Sequence, residues 1–308
     1  MNTVLAAIGN TPLVQLRRVV PPDSARIVLK LESANPTGAM KDRVAKAMVE
    51  AALEDGRLAP GGTVVEYTGG TTGVSLAFVC AALGLKAHFV SSDAFSEEKL
   101  RTMRAFGAEL TILPNQGRGI TRELIKGMIA EAERLGKRPY HWLCDQLNNR
   151  DGEAGYFALG DELWDQSGGK VDAFVQSVGS AHSLHGTTAT LRRHDPQVRV
   201  IAAEPAESAV LSGKKPGTHR IEGVGIGFVP PLWRPDWVDE ILTATTAESL
   251  GMARRLAEEE GIFVGTSTGL NVIAALDVAR RLGPQATVAT VAIDSGLKYL
   301  STELFAPQ

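Results

Sequence analysis

Three short segments carry residue types able to do chemistry. In Asn35-Pro36-Thr37-Gly38-Ala39-Met40-Lys41-Asp42-Arg43, a Pro and a Gly set a turn between an expected strand and an expected helix, and Lys41 falls in the first turn of that helix. The amides and dipole at a helix N-terminus disfavour a cation, so an amine held there is pushed toward its neutral, nucleophilic form. On this segment alone, that reading and a solvated first-turn lysine are both open. The run Thr68-Gly69-Gly70-Thr71-Thr72-Gly73 follows an expected strand and opens a helix. Its hydroxyls and unencumbered amides suit a small anion, carboxylate or phosphate, with a plain strand-to-helix turn as the alternative. Gly179-Ser180-Ala181-His182-Ser183 again joins a strand to a helix and offers a second anion cradle.

Neither glycine-containing loop ends in the Gly-Lys-Ser/Thr of a P-loop, and neither reads GxGxxG. The run Gly223-Val224-Gly225-Ile226-Gly227 begins GxG, but no convincing helix follows it. An amine nucleophile with two anion cradles points to a phosphate-bearing carbonyl cofactor and a carboxylate substrate. Pyridoxal 5′-phosphate with an amino acid meets that description, the lysine forming a Schiff base.

The elements that must position these groups alternate along the chain. Strands are expected at 27–31, 63–67, 86–91 and 109–113, and a second series at 173–178, 199–203, 240–243 and 287–293. Helices are expected from Lys41 to Glu54, after Gly73, and from Ser96 to Phe106, stopping at Gly56, Gly84 and Gly107 respectively. Thr245 and Glu248 have capping-box spacing and open a helix reaching about Glu260. Such alternation predicts an α/β protein with mostly parallel sheets in two units. No linker separates them, so they should pack closely, with an active site in the cleft.

The 308 residues are 44% hydrophobic and 22% charged, enough to bury a large core. With 32 basic against 35 acidic residues the net charge is −3, which offers no field for phosphate backbones or anionic lipid. Nucleic acid and membrane partners are not expected. The start, Met1 to Leu13, has no basic stretch followed by a sustained apolar one, and a cytoplasmic location is expected. Cys80 and Cys144 form no CxxC pair and have no His or Cys at zinc-ligand spacing, so they read as small buried hydrophobes and no metal is expected.

An ordered set of segments resembles one family over almost the whole chain. It comprises Gly9-Asn10-Thr11-Pro12-Leu13-Val14, the Asn35 to Arg43 stretch, the Thr68 to Gly73 loop, Glu97 through Glu109, Gly179 to Ser183, His219 to Pro230, Glu259 to Gly265, and Asp294 to Thr302. The set is similar to the cysteine synthase (O-acetylserine sulfhydrylase) and cystathionine β-synthase branch of the fold-type II pyridoxal-phosphate enzymes. The resemblance implies a tryptophan synthase β-like fold of two packed α/β domains. Residues 1–40 plus 146–308 would form the larger, cofactor-binding domain, and 41–145 the smaller, mobile, substrate-binding one. It also implies a homodimer, and a chain without the regulatory or haem-binding extensions of some relatives.

Carried over by position, the resemblance makes Lys41 the lysine that binds the cofactor and moves the proton at the substrate's α-carbon. Gly179, Ser180, Ala181, His182 and Ser183 would hold the cofactor phosphate, Ser295 the pyridine nitrogen, and Thr71 the ring's 3′-oxygen, directly or through water. Thr68, Gly69, Gly70, Thr72 and Gln146 would bind the substrate carboxylate, with Gly223 and Gly225 close to the ring and Gly223 also among the substrate-binding residues. The implied reaction is β-elimination and β-replacement on O-acetyl- or O-phospho-L-serine, with sulfide giving L-cysteine. The alternatives are another nucleophile, as in a cystathionine synthase or a secondary-metabolism enzyme, or a weakly active binding or regulatory relative. The sequence departs from the family's Thr-Ser-Gly-Asn-Thr-Gly at Gly69 and Thr71, from Gly-Thr-Gly-Gly-Thr at Ala181 and His182, and from Gln-Gln-Phe-x-Asn over Asp145 to Asn149. His182 then reads as a phosphate neighbour or a surface residue rather than a catalytic base. These departures surround the substrate and bear on donor choice more than on the cofactor.

Overall fold

The computed structural model describes residues 3–117 and 121–305. Its strands are β1 (Leu13–Gln15), β2 (Arg26–Lys30), β3 (Thr63–Tyr67), β4 (Lys86–Ser92), β5 (Glu109–Leu113), β6 (His141–Leu143), β7 (Ala173–Ser177), β8 (Arg199–Pro205), β9 (Glu240–Ala244) and β10 (Thr287–Val291). Its α-helices are α1 (Lys41–Glu54), α2 (Thr71–Leu83), α3 (Glu97–Ala105), α4 (Arg122–Gly136), α5 (Phe157–Gln166), α6 (His182–His194), α7 (Thr246–Glu260) and α8 (Thr266–Leu282). The eight expected strands and four expected helices are present within a residue or two at their ends, except that α2 starts at Thr71 rather than after Gly73. The helix-stopping glycines are left-handed, with φ of +81° at Gly56, +67° at Gly84 and +88° at Gly107. The Thr245 and Glu248 side chains make both bonds of the capping box.

The chain divides into two compact units, Met1–Ile8 with Lys41–Gly155, and Gly9–Met40 with Tyr156–Gln308. The first holds a four-stranded parallel sheet in the order β5-β4-β3-β6. Every residue of β3 is buried, as expected of an inner parallel strand covered on both faces. In α2 a continuous run from Thr72 to Cys80 is buried, so that stretch of the helix has no solvent face. The division differs from 1–40/41–145/146–308 for physical reasons. Leu5 is buried in a short 3-10 turn (Val4–Ala7) that packs against α2. Arg57 pairs with Asp151 at 2.6 Å, and the backbone of Gly155 lies so near α1 that a Cβ there would stand 2.5 Å from Arg43 O. Residues 146–155 therefore belong with the first unit.

The second unit holds a six-stranded sheet in the order β1-β2-β10-β7-β8-β9. All its pairings are parallel except that of the edge strand β1 with β2. Ile27, Leu29, Val175, Ile201, Leu270 and Val288 belong to one core cluster between strands and helices. Both candidate anion loops leave the carboxyl ends of parallel strands, Thr68 to Gly73 after β3 and Gly179 to Ser183 after β7. Open α/β sheets bind ligands at that edge. Among the described residues, no helix is long and apolar enough to cross a membrane.

Candidate active site

The turn before Lys41 is built by side chains that close on themselves. Asn35 Nδ2 donates to Glu32 O at 2.9 Å and to Glu32 Oε2 at 2.8 Å, while its Oδ1 accepts from Gly9 N at 2.8 Å. Gly38 N donates to Asn35 O at 2.7 Å, and Gly38 has a φ of +72° that a side chain would strain. Ala39 forms an isolated antiparallel bridge with Asp294, Met40 N donates to Ile293 O at 2.9 Å, and Ser295 N donates to Gly38 O at 2.9 Å. Ser295 is thereby held against the turn that ends in Lys41. Its Oγ accepts from Leu297 N at 3.3 Å, which leaves the hydroxyl hydrogen to donate elsewhere. Lys41 is the first residue of α1, half-buried, at the point where the chain passes into the first unit.

The loop after β7 has the form of an anion cradle. Gly179 tolerates no side chain, because a Cβ would stand 2.4 Å from Gly223 O. Ala181 sits at φ +74°, turning the chain so that α6 begins at once, with His185 N donating to Ala181 O at 3.0 Å. Successive amides at the head of a 13-residue helix favour a phosphate. Ser180 Oγ and His182 Nδ1 are 2.8 Å apart, and Gln176 Nε2 donates to Ser183 Oγ at 2.6 Å. His182 is only 2% exposed, so the surface alternative for it is wrong. Two buried polar atoms at the end of β7, Gln176 Oε1 and Ser177 Oγ, have no partner within the protein. The cradle's amides and the Ser177 hydroxyl, a donor, fit a phosphate-bearing cofactor.

In the first unit, the Thr68 hydroxyl organises its own loop. It accepts from Gly70 N at 3.0 Å and Gly73 N at 3.1 Å, while Ser91 Oγ donates to Thr68 O at 2.8 Å. Gly69 lies under an aromatic ring, where an added Cβ would be 2.8 Å from Phe95 Cε1. Gly70, at φ +133°, lies against the stem of the buried Lys99. Thr71 opens α2, and Thr72 Oγ1 donates to Gln146 Oε1 at 2.8 Å. Thr72 of the loop and Gln146 are thereby brought together.

Sequence reasoning passed over the group beneath them. Glu66, wholly buried in β3, accepts from Tyr67 N and Gln146 N, each at 3.0 Å. Burial, with Asp145 close by, pushes its carboxyl up to about 8 against the pull of those two amides. The signal was present: an acidic residue inside an apolar, β-branched strand is a buried charge seeking partners. Asn271 was also missed; its Oδ1 accepts from Ser177 N at 2.7 Å and its Nδ2 donates to Val291 O at 2.9 Å, fixing the end of β7. Cys80 and Cys144 are free and buried, and burial pushes the Cys80 thiol up to about 12. Among the described residues, no cluster of His, Cys, Asp and Glu could hold a metal ion.

The chain is similar to known proteins over nearly its whole length. Residues 4–294 match the model of a family described as pyridoxal-phosphate dependent enzyme. A cysteine synthase of Staphylococcus aureus is 39% identical over 307 residues, covering 99% of this chain and 97% of its own. The solved structure of a cysteine synthase from Entamoeba histolytica superposes with a TM-score of 0.92 at 33% identity, covering 100% of this chain and 91% of its own. That of an O-acetylserine dependent cystathionine β-synthase from Helicobacter pylori gives 0.91 at 34% identity, covering 99% of each.

Proposed function

Because the chain belongs to the pyridoxal-phosphate dependent enzyme family, we propose that it performs β-replacement on an O-activated L-serine, O-acetyl- or O-phospho-L-serine, with sulfide giving L-cysteine. Pyridoxal phosphate, when bound, supplies an aldehyde for an amine and a conjugated ring that draws charge from the substrate's α-carbon. Gly179, Ser180, Ala181, His182 and Ser183 would hold its phosphate, Ser295 would donate to the ring nitrogen, and Thr71 would serve the 3′-oxygen. Gly223 and Gly225 let the backbone approach the ring. Thr68, Gly69, Gly70, Thr72 and Gln146 receive the substrate carboxylate. Lys41 would anchor the cofactor through its amine in the resting enzyme and, once the substrate's amino group has taken its place and freed it, would take the proton from Cα. The Cβ–O bond breaks, acetate or phosphate leaves, sulfide adds at Cβ, and Lys41 returns the proton to Cα.

The observation that carries this reading is Ser295, clamped to Gly38 three residues before Lys41. A hydroxyl donates to a ring nitrogen without protonating it, as a carboxylic acid would. Charge is then less fully drawn into the ring, and expulsion of a β-substituent is the favoured course.

A second reading replaces sulfide by a thiol amino acid. The likeness to an O-acetylserine dependent cystathionine β-synthase and the substitutions at Gly69 and Thr71 favour it. Retention of Lys41 and Ser295 speaks against a weakly active binding relative. Purified protein incubated with pyridoxal phosphate and O-acetyl-L-serine, O-phospho-L-serine or L-serine, each with sulfide, with homocysteine or with neither, separates the readings. Cysteine formed from an O-activated serine and sulfide is expected. Cystathionine alone selects the second reading, and no product in any arm refutes both. A cytoplasmic homodimer goes with the same reading; sedimentation checks the dimer and cell fractionation the location.

A further inference from the structure

The ladder between β3 and β6 stops short of the site. It pairs Thr63 to Val65 with His141 to Leu143, and Cys144 N still donates to Val65 O at 2.8 Å. The next donor in register, Gln146 N, leaves the ladder: Asp145 turns to φ +49° and Gln146 N goes instead to Glu66 Oε2 at 3.0 Å. Tyr67 O, the acceptor that would have continued the ladder, takes the Gln146 side-chain Nε2 at 3.3 Å. The other carboxyl oxygen, Oε1, accepts from Tyr67 N at 3.0 Å. One buried carboxyl thus replaces the missing rung and ties the chain entering the Thr68 loop to the chain carrying Gln146. The Gln146 side chain is then fixed at both ends, by Tyr67 O and by Thr72 Oγ1 at 2.8 Å.

We propose that Glu66 is a positioning residue for substrate-carboxylate recognition, acting through the amides of Tyr67 and Gln146 to hold the Gln146–Thr72 pair in place. The proposal rests on the reading that this pair and the Thr68 to Gly73 loop receive the carboxylate. Glu66 is wholly buried, so it acts on substrate only through the groups it holds. Tyr67 N and Gln146 N each bond a different oxygen of Glu66, and a primary amide has only one oxygen to offer. Glu66→Gln keeps the volume but must turn its NH2 toward one of the two amides, breaking that side of the clamp.

The test uses the holoenzyme, with sulfide and whichever of O-acetyl-L-serine and O-phospho-L-serine the parent turns over faster. Glu66→Gln should raise KM for that donor about 10-fold while kcat stays within about twofold, since an interaction made alike in ground and transition states is lost. Gln146→Ala should raise KM at least as much, and the double variant Glu66→Gln/Gln146→Ala should be no worse than Gln146→Ala alone, because the two act in series. Additive effects in the double variant overturn the proposal. Parent-like KM in Glu66→Gln beside a raised KM in Gln146→Ala overturns it and leaves the carboxylate reading standing. An unchanged KM in Gln146→Ala overturns both. Hydrogen exchange on the parent decides independently of folding or turnover in the variants. The Gln146 amide should be strongly protected although it lies past the end of the ladder, and exchange at the rate of a free loop amide overturns the clamp.

Discussion

Ser295 and Gly38 are joined by a 2.9 Å hydrogen bond from Ser295 N to Gly38 O, so the hydroxyl proposed for the ring nitrogen and the turn that ends in Lys41 are parts of one local construction. A Cβ at Gly38 would lie 3.3 Å from Ser295 Cβ, which leaves no slack between them. The backbone clamp does not depend on the hydroxyl. Ser295→Ala should therefore fold normally and lower kcat/KM about 10-fold, the worth of one hydrogen bond. Ser295→Asp, which protonates a ring nitrogen, should lower β-replacement further and raise side products at Cα. Steady-state rates with product analysis check this, and parent-like behaviour of both variants removes Ser295 from the ring.

Thr68 and Thr72 should fail differently when truncated. Thr68 Oγ1 holds two loop amides, so Thr68→Val should cost about 1 to 3 kcal/mol of stability and also raise KM. Thr72 Oγ1 donates to Gln146 Oε1 rather than to the loop's backbone, so Thr72→Val should raise KM for the donor roughly 10- to 100-fold with little loss of stability. Urea unfolding beside steady-state kinetics separates the two patterns.

Gly69 and Phe95 form a coupled pair. The family's Ser at this position would bring a Cβ to 2.8 Å from the Phe95 ring, so Gly69→Ser alone should cost about 1 to 3 kcal/mol. In a Phe95→Ala background the same substitution should be nearly neutral. A double-mutant cycle with coupling below about 0.5 kcal/mol would mean the ring does not exclude that side chain.

His185 sets an acid limit on stability. It is buried on α6 between Trp233 and Trp237, with Nε2 accepting from Arg234 N at 3.2 Å, and burial pushes its imidazole down to about 4. A histidine whose folded value lies below its unfolded one contributes stability that is present at neutral pH and lost as pH falls through about 6.5 toward 4. Between pH 7 and 5 the parent should lose about 1 to 2 kcal/mol more than His185→Gln, as read by urea unfolding. Parallel curves would show that His185 does not titrate in this range.

Much of this was legible where the cause is local. The helix stops at Gly56, Gly84 and Gly107 and the Thr245–Glu248 box depend on residues within a turn or so of each other, and so does the placing of Lys41 at a helix start. Helix α8 was not legible, because it opens Thr266-Ser267-Thr268-Gly269 and is buried on nearly every side, leaving no polar stripe to give it a period. Strands β1 and β6 span three residues each, too few for alternation to register. In the site, the three loops and Ser295 were readable from residue type and resemblance. The Glu66–Gln146 and Gly69–Phe95 relations join positions 80 and 26 residues apart, and only the fold brings them together.

Lys41→Ala bears on the proposed chemistry most directly, because one amine is given both the anchoring of the cofactor and the movement of the α-proton. The variant should keep the parent's circular dichroism and lose the visible absorption band of lysine-bound pyridoxal phosphate. Its rate of cysteine formation from the preferred O-activated serine and sulfide should fall roughly 1,000-fold or more. A variant that keeps both the band and a near-parent rate would contradict the assignment of Lys41 and the mechanism built on it.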